Sequence, residues 1–312
     1  MELQDHFVKT VHLYFKEEGV AWLQRLPELI RDCEQKWHLK IKEPFTLSIN
    51  YVAAAIMNDG REVVVKICIP GEGFLDEIEA LTLFGGKGMV QLIDFDKDKG
   101  IMILEKVSPG HTLAEIVDDA KACRLAANVI KKLSIRAPKE TRIASTLGRE
   151  EKLRNLIKEH PEGFGPISQH TLEVALKVFT YLNRTIEQHF LLHGDFHHYN
   201  VLSFTDEIWT AIDPKGLVGE IEYDLIQFLL NKLPDQNAYD VVAKRVDILT
   251  QELKLNKERL LLWGYCHTVL ATSWTVDDDG TYDDKFYQAI DIFHKLYEAN
   301  YGMEIEALKY VN

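Results

Sequence analysis

The period of the apolar positions changes along the chain. Residues 20–38, from Val20 through Trp22, Leu26, Leu29 and Ile30 to Trp37, carry apolar side chains at helical spacing and predict an amphipathic helix. Strand patterns follow over 41–106. Phe45–Ala55 reads as a hairpin with Asn50 at its turn. Glu62-Val-Val-Val-Lys66-Ile-Cys-Ile69 is a strand rich in β-branched residues. Phe74–Phe84 returns to helical spacing and stops at Gly85-Gly86, and strands Met89–Asp94 and Ile101–Glu105 follow across a polar turn. From Thr112 onward helical patterns dominate, over 112–133, 168–188, 222–232, 238–253, 257–275 and 283–300, with short strands interrupting near 200–213. The pattern predicts an α+β chain in two parts, a sheet-bearing 1–106 and a mainly helical 107–312.

Composition narrows the class. A chain of 312 residues with 46% hydrophobic content is long enough to bury a sizeable core in one or two domains. No apolar stretch reaches the roughly eighteen residues of a spanning helix, and the N-terminal segment has no apolar signal core. The four cysteines lie far apart without a C-x-x-C pair and read as reduced, buried thiols of a cytoplasmic protein. The net charge of −13 argues against a nucleic-acid partner, since phosphate backbones require a basic surface, and favours a cationic small molecule.

Candidate chemistry concentrates in His193-Gly-Asp195-Phe-His-His198-Tyr-Asn200 and Ile212-Asp213-Pro-Lys215. Asn200 follows Asp195 by five residues and Asp213 follows it by eighteen, the latter at the end of a strand-like segment. The same spacing occurs in the catalytic loop of protein kinases, where an Asp accepts the proton of the attacking hydroxyl and an Asn and a later Asp hold magnesium. Magnesium takes hard oxygen ligands, which Asn200 and Asp213 supply, and Asp195 is the candidate base. A hydrolytic metal site is the rival reading, because His193, Asp195, His197 and His198 crowd together. It reverses the residue order usual in such sites and leaves Asn200 and Asp213 idle.

The kinase reading requires a lysine from an earlier strand. Lys66 stands inside a β-branched strand, where a charge is unexpected unless it binds something such as nucleotide phosphates. Glu77, on the following helix, is its expected partner. Asn50 is a candidate to cap the phosphate-covering turn. The backbone of residues 104–107, Glu105 and Val107 foremost, is the candidate adenine contact.

These motifs resemble the aminoglycoside phosphotransferase-type kinases, most closely the streptomycin 6-phosphotransferase and hydroxyurea phosphotransferase group. The resemblance runs nearly end to end, through Trp22-Leu-Gln-Arg-Leu-Pro27, Lys66, Glu77, Gly85-Gly86, Leu104-Glu105, Leu192–Asn200 and Asp213-Pro-Lys-Gly-Leu-Val-Gly219. It implies a bilobal protein-kinase-like fold, with an N-terminal antiparallel sheet plus helices and a larger helical lobe. It implies ATP and Mg2+ as cofactors and transfer of the γ-phosphate to a small-molecule hydroxyl. It assigns Asp195 as base, Asn200 and Asp213 as metal ligands, and Lys66 with Glu77 as the phosphate-binding pair.

A cationic acceptor suits carboxylates beside an aromatic face. Glu220, Glu222, Trp274, Asp277, Asp278 and Asp279 are the candidates, whereas Asp224 reads as a brace for the loop near Asp213. Two alternatives remain open: a metabolic kinase acting on a sugar or amino alcohol, and a nucleotide-binding scaffold without catalysis.

Overall fold

A computed structural model of the chain describes residues 3–277 and 279–308. The chain divides into two compact units, Met1–Gly110 and His111–Asn312.

The first unit opens with α1 (Asp5–Trp37). This helix begins well before residue 20 because Phe7 and Val11 are also buried. It breaks at Lys16, whose φ is 49°. Strands β1 (Leu39–Pro44), β2 (Tyr51–Met57) and β3 (Glu62–Ile67) follow, then α2 (Glu72–Phe84), β4 (Leu92–Asp96) and β5 (Ile101–Glu105). They form an antiparallel sheet in the order β1-β2-β3-β5-β4, with β3 at its centre. Alternation along β3 sends Val63, Val65 and Ile67 to one face, where they pack with Trp22, Leu26, Leu29 and Cys33 of α1. Lys66 therefore lies on the opposite face, where α2 buries Phe74, Ile78 and Leu81.

The second unit is mainly helical: α3 (Asp119–Leu133), α4 (Thr146–Glu159), α5 (Gln169–Arg184), α6 (Ile221–Asp224), α7 (Ile226–Leu230), α8 (Ala238–Leu253), α9 (Lys257–Trp274) and α10 (Asp284–Tyr301). Helix α9 is buried on all sides from Leu260 to Thr272, as expected of a helix apolar around its whole circumference. Its Gly264 admits the ring of Phe293 from α10, which a Cβ would meet at 2.2 Å. The short strands among the unit's described residues are β6 (Ile135–Arg136), β7 (Gly163–Phe164), β8 (Ile167–Ser168), β9 (Phe190–Leu192), β10 (Val201–Ser203), β11 (Trp209–Ala211) and β12 (Leu217–Gly219). β9 pairs between β6 and β12, β10 pairs with β11, and β7 pairs with β8.

The structure is thus the α+β arrangement that the sequence predicts, with further local differences in the second unit. The helix expected over 112–133 starts at Asp119, because the Asp118 carboxylate caps the amides of Ala120 and Lys121. The helix expected over 222–232 is two short helices, α6 and α7. Helix α4 has no counterpart in the expected elements. Its buried face includes Thr146 and Glu150, which hydrogen-bond to Asn183 and Thr180 of α5, so its apolar stripe is weak.

Candidate functional site

In the first unit, the central position of β3 fixes Lys66 between Val52 of β2 and Met102 of β5. Its ammonium lies 2.7 and 2.8 Å from the two carboxylate oxygens of Glu77 on α2. The side chains are 5% and 10% exposed, so this is a buried ion pair. Such pairs repay their desolvation only with good geometry, and they are weak devices for stability alone. On the expectation from sequence that Lys66 meets nucleotide phosphates, Lys66→Met should lower nucleotide affinity at least tenfold, since a charge-assisted contact contributes about 1.5–3 kcal/mol. Calorimetric titration with Mg·ATP tests this, and unchanged affinity would remove Lys66 from the site.

The other first-unit candidates are main-chain positions. Asn50 is half-buried in the bend that precedes β2. That connection is pinned to the start of α1 through Gln4, which bonds Phe45 O and Leu47 N. Glu105 N donates to Gln91 O in the sheet, and Val107 is buried beyond the strand end.

In the second unit, two connections interlock. His193 follows β9, and its carbonyl accepts the amides of both Lys215 and Gly216, which precede β12. The His193 ring accepts the Asp195 amide at Nδ1 and donates from Nε2 to Ile212 O at 2.8 Å, which fixes its tautomer. Asn200 closes a short 3-10 turn. It donates from Nδ2 to Asp195 O at 3.1 Å, and its own carbonyl accepts the Ile212 amide. That bond turns Oδ1 of Asn200 away as a hard oxygen donor. Asp213 is exposed at φ 60°, a conformation that non-glycine residues adopt mainly under local constraint. Gly194 is required here, because its φ is +79° and a Cβ would meet the Gly216 backbone at 3.2 Å. An arginine at this position, as protein kinases have, would strain this left-handed backbone.

Asp224, at the end of α6, braces the turn by accepting the amides of His193 and Gly194, each at 2.8 Å. Burial pushes its carboxyl up to about 7, against the pull of those two donors.

Asp195 itself is partly exposed. Its Oδ2 lies 2.7 Å from the ammonium of Lys215, and its Oδ1 lies 3.9 Å from His197 Nε2. Among the described residues no group of three or more His, Cys, Asp or Glu converges as metal ligands would. His193 has both ring nitrogens engaged, and His197 accepts the Tyr199 amide at Nδ1. The hydrolytic metal-site reading therefore has no donor set, whereas one Asn and one Asp oxygen suit a magnesium ion shared with phosphates.

Three histidines are held neutral by burial: His193 at about 4, His198 at about 3 and His267 at about 3, all below 6.5. Each folded pKa lies below the unfolded value. The resulting stability is therefore present above about pH 6.5 and is lost as pH falls toward 4, at on the order of 1.4 kcal/mol per pH unit for each histidine. Urea midpoints are expected to drop between pH 7.5 and 5, less steeply than the histidines alone would give because Asp224, pushed up to about 7, takes up a proton in the folded state over that range, and His267→Gln is expected to flatten the profile. A level profile in the wild type would contradict this.

The acceptor candidates do not converge. Glu220 accepts from Arg259 Nε at 2.8 Å and from Trp263 Nε1 at 2.7 Å. Glu222 is buried, accepts the Asn256 amide, and has its pKa raised by burial. Both belong with the first half of α9, whereas Trp274 ends that helix, about 15–25 Å further on at ~1.5 Å per residue. Trp274 is 46% exposed, packs edge-on to His267, and carries the Arg149 guanidinium 4.8 Å above its ring. Asp277 and Asp279 sit in a turn where both bond Thr281, and Asp278 lies outside the described residues. Glu220 and Glu222, two of the acceptor candidates from sequence, thus have internal hydrogen-bond partners. Lys215 beside Asp195 and Arg149 over Trp274 were not expected. Those two contacts join residues 20 and 125 positions apart, which spacing does not reveal.

The family model described as aminoglycoside/hydroxyurea antibiotic resistance kinase matches residues 36–280. Streptomycin 6-kinase of Streptomyces griseus is 30% identical over 275 residues, covering 84% of this chain and 87% of that protein. Hydroxyurea phosphotransferase of Kitasatospora aureofaciens is 28% identical over 285 residues, covering 89% and 81%. Among solved structures, choline kinase LicA from Streptococcus pneumoniae superposes with a TM-score of 0.62 at 16% identity, covering 88% of this chain and 99% of that one. A thermostable aminoglycoside phosphotransferase in ternary complex with ADP and hygromycin B gives a TM-score of 0.62 at 12% identity, with the same coverage. The fold is kinase-like. No helix among the described residues is long and apolar enough to cross a membrane.

Proposed function

Since this chain belongs to the aminoglycoside/hydroxyurea antibiotic resistance kinase family, and is thereby a phosphotransferase with a hydroxyl acceptor, we propose that it moves the γ-phosphate of ATP, with magnesium, to a hydroxyl of an aminoglycoside such as streptomycin. The observation that carries this reading is the interlocked pair of connections in the second unit. It ties together the segments that carry Asp195, Asn200 and Asp213 through backbone bonds, which supports a metal at the Asn200 and Asp213 oxygens and a proton acceptor at Asp195.

In this reading the first unit binds nucleotide. Lys66, oriented by Glu77, holds the α- and β-phosphates, Asn50 caps the turn over them, and the main chain at Glu105 and Val107 meets adenine. The second unit carries the catalytic groups and the acceptor. Asn200 Oδ1 and the Asp213 carboxylate hold magnesium, which neutralises charge on the phosphates when bound. Asp195 orients the acceptor hydroxyl and takes its proton. The reaction, with ATP as donor, is placed in the cytoplasm.

One observation favours a second acceptor class. Arg149 already covers the Trp274 ring, so a neutral or anionic hydroxyl compound meets less repulsion there than a cationic one. Coupled ADP release with Mg·ATP over streptomycin, other aminoglycosides, hydroxyurea and metabolite alcohols separates the two. A response to streptomycin or another aminoglycoside supports the first reading, and a response to a metabolite alone supports the second. Nucleotide binding with no transfer to any acceptor would favour a scaffold and overturn both.

A further inference from the structure

The loop that ends in Asp213 also delivers a lysine to Asp195. Lys215 N and Gly216 N both donate to the carbonyl of His193, two residues before Asp195, so the backbone at Lys215 is tied to the catalytic turn. Its ammonium reaches back to Oδ2 of Asp195 at 2.7 Å. The Lys215 side chain is 66% exposed and that of Asp195 is 20% exposed. An ion pair this open to water contributes little to stability, so folding does not explain it. The other oxygen, Oδ1, lies 3.9 Å from His197 Nε2, beyond hydrogen-bond range. One carboxylate oxygen is therefore held by a cation, and the other carries no hydrogen bond from His197.

We infer that Lys215 is a second catalytic residue of this site, its ammonium holding one oxygen of Asp195 and contacting the phosphoryl group as it transfers. This rests on the phosphotransferase reading above. In the step, the acceptor oxygen bonds to phosphorus while the bond from phosphorus to the bridging oxygen of the nucleotide breaks. The acceptor proton passes to Oδ1 of Asp195, and the bridging oxygen departs with the electron pair as part of ADP. Charge spreads over the equatorial oxygens during transfer, and a cation fixed beside the base is placed to meet it. With Oδ2 occupied by Lys215, the proton has one acceptor oxygen, which fixes the approach of the hydroxyl.

Lys215→Met and Lys215→Arg test this in the full chain, using Mg·ATP and streptomycin, or whichever acceptor the panel shows to be active. Lys215→Met is expected to lower kcat about 100-fold, the usual loss when one transition-state contact is removed. Its KM values and thermal midpoint should stay near those of the wild type. Lys215→Arg keeps the charge and should recover about a tenth of the activity or more. Calorimetry supplies a readout besides turnover. Mg·ADP with tetrafluoroaluminate, a mimic of the phosphoryl group in transfer, should bind Lys215→Met about thirtyfold more weakly, while Mg·ATP affinity changes less than about threefold.

A Met variant with wild-type kcat and wild-type affinity for the mimic would overturn the role of Lys215 and leave the phosphotransferase reading intact. A rise in KM alone would also overturn it, since that reports uniform binding rather than contact in transfer. A wild type that transfers phosphate to no acceptor would overturn both.

Discussion

Asp195→Asn is expected to lower kcat by about 10³-fold, within the range that removal of a positioned general base produces. The substitution is isosteric, and the main-chain bonds of Asp195, its amide to His193 and its carbonyl to Asn200, do not involve the carboxylate. The loop should therefore keep its shape. The ion pair lost with Lys215 is solvent-exposed and contributes about 0–1 kcal/mol, so the thermal midpoint should barely move. Steady-state kinetics with the active acceptor, alongside a thermal melt, check both halves. Near-normal turnover in a folded variant would remove Asp195 from the base role.

The second large effect is on stability. Arg245 of α8 is 2% exposed. Its Nη2 pairs with Asp119 Oδ1 of α3 at 2.6 Å, and its Nη1 donates to the carbonyls of Phe228, Leu229 and Asn231. It thereby ties the start of α3 to the end of α7. Phe228 of α7 in turn stacks on His198, two residues before Asn200, with ring centroids 4.0 Å apart. Arg245→Met removes the cation while keeping most of the apolar volume. It leaves three carbonyls and a carboxylate without their donor. The expected cost is about 3–5 kcal/mol, mainly from buried carbonyls left unsatisfied at about 1–3 kcal/mol each, since Asp119 is about a third exposed. Chemical denaturation of the second unit's transition measures it, and a loss below about 1 kcal/mol would contradict the account. Activity should fall with it where α7 loosens under the 198–200 turn.

The two effects separate what the sequence made legible from what it did not. Lys66 stood out because a charge interrupts a β-branched strand, and Glu77 because it lies on the next helix; the observed contact joins them. The spacing of Asp195, Asn200 and Asp213 was visible because short-range backbone geometry fixes it. The brace at Asp224 was readable from its place beside that loop. Helix α4 was not legible, because its buried side is partly Thr146 and Glu150, satisfied by α5, and shows no apolar stripe. Lys215 gave no signal, since a lysine in a loop is most often solvated and only the chain crossing at Gly194 and Gly216 brings it to Asp195. Glu220 and Glu222 looked available because their partners Arg259, Trp263 and Asn256 lie more than thirty residues away. Pairing between distant helices is set by packing, which periodicity along one helix does not encode.

Phosphorus-31 NMR of the protein with ATP, magnesium and streptomycin tests the central claim most directly. A new phosphomonoester resonance growing with ADP, and absent with Asp195→Asn, is the expected result. Inorganic phosphate as the sole product, or an equal phosphomonoester signal from Asp195→Asn, would contradict it.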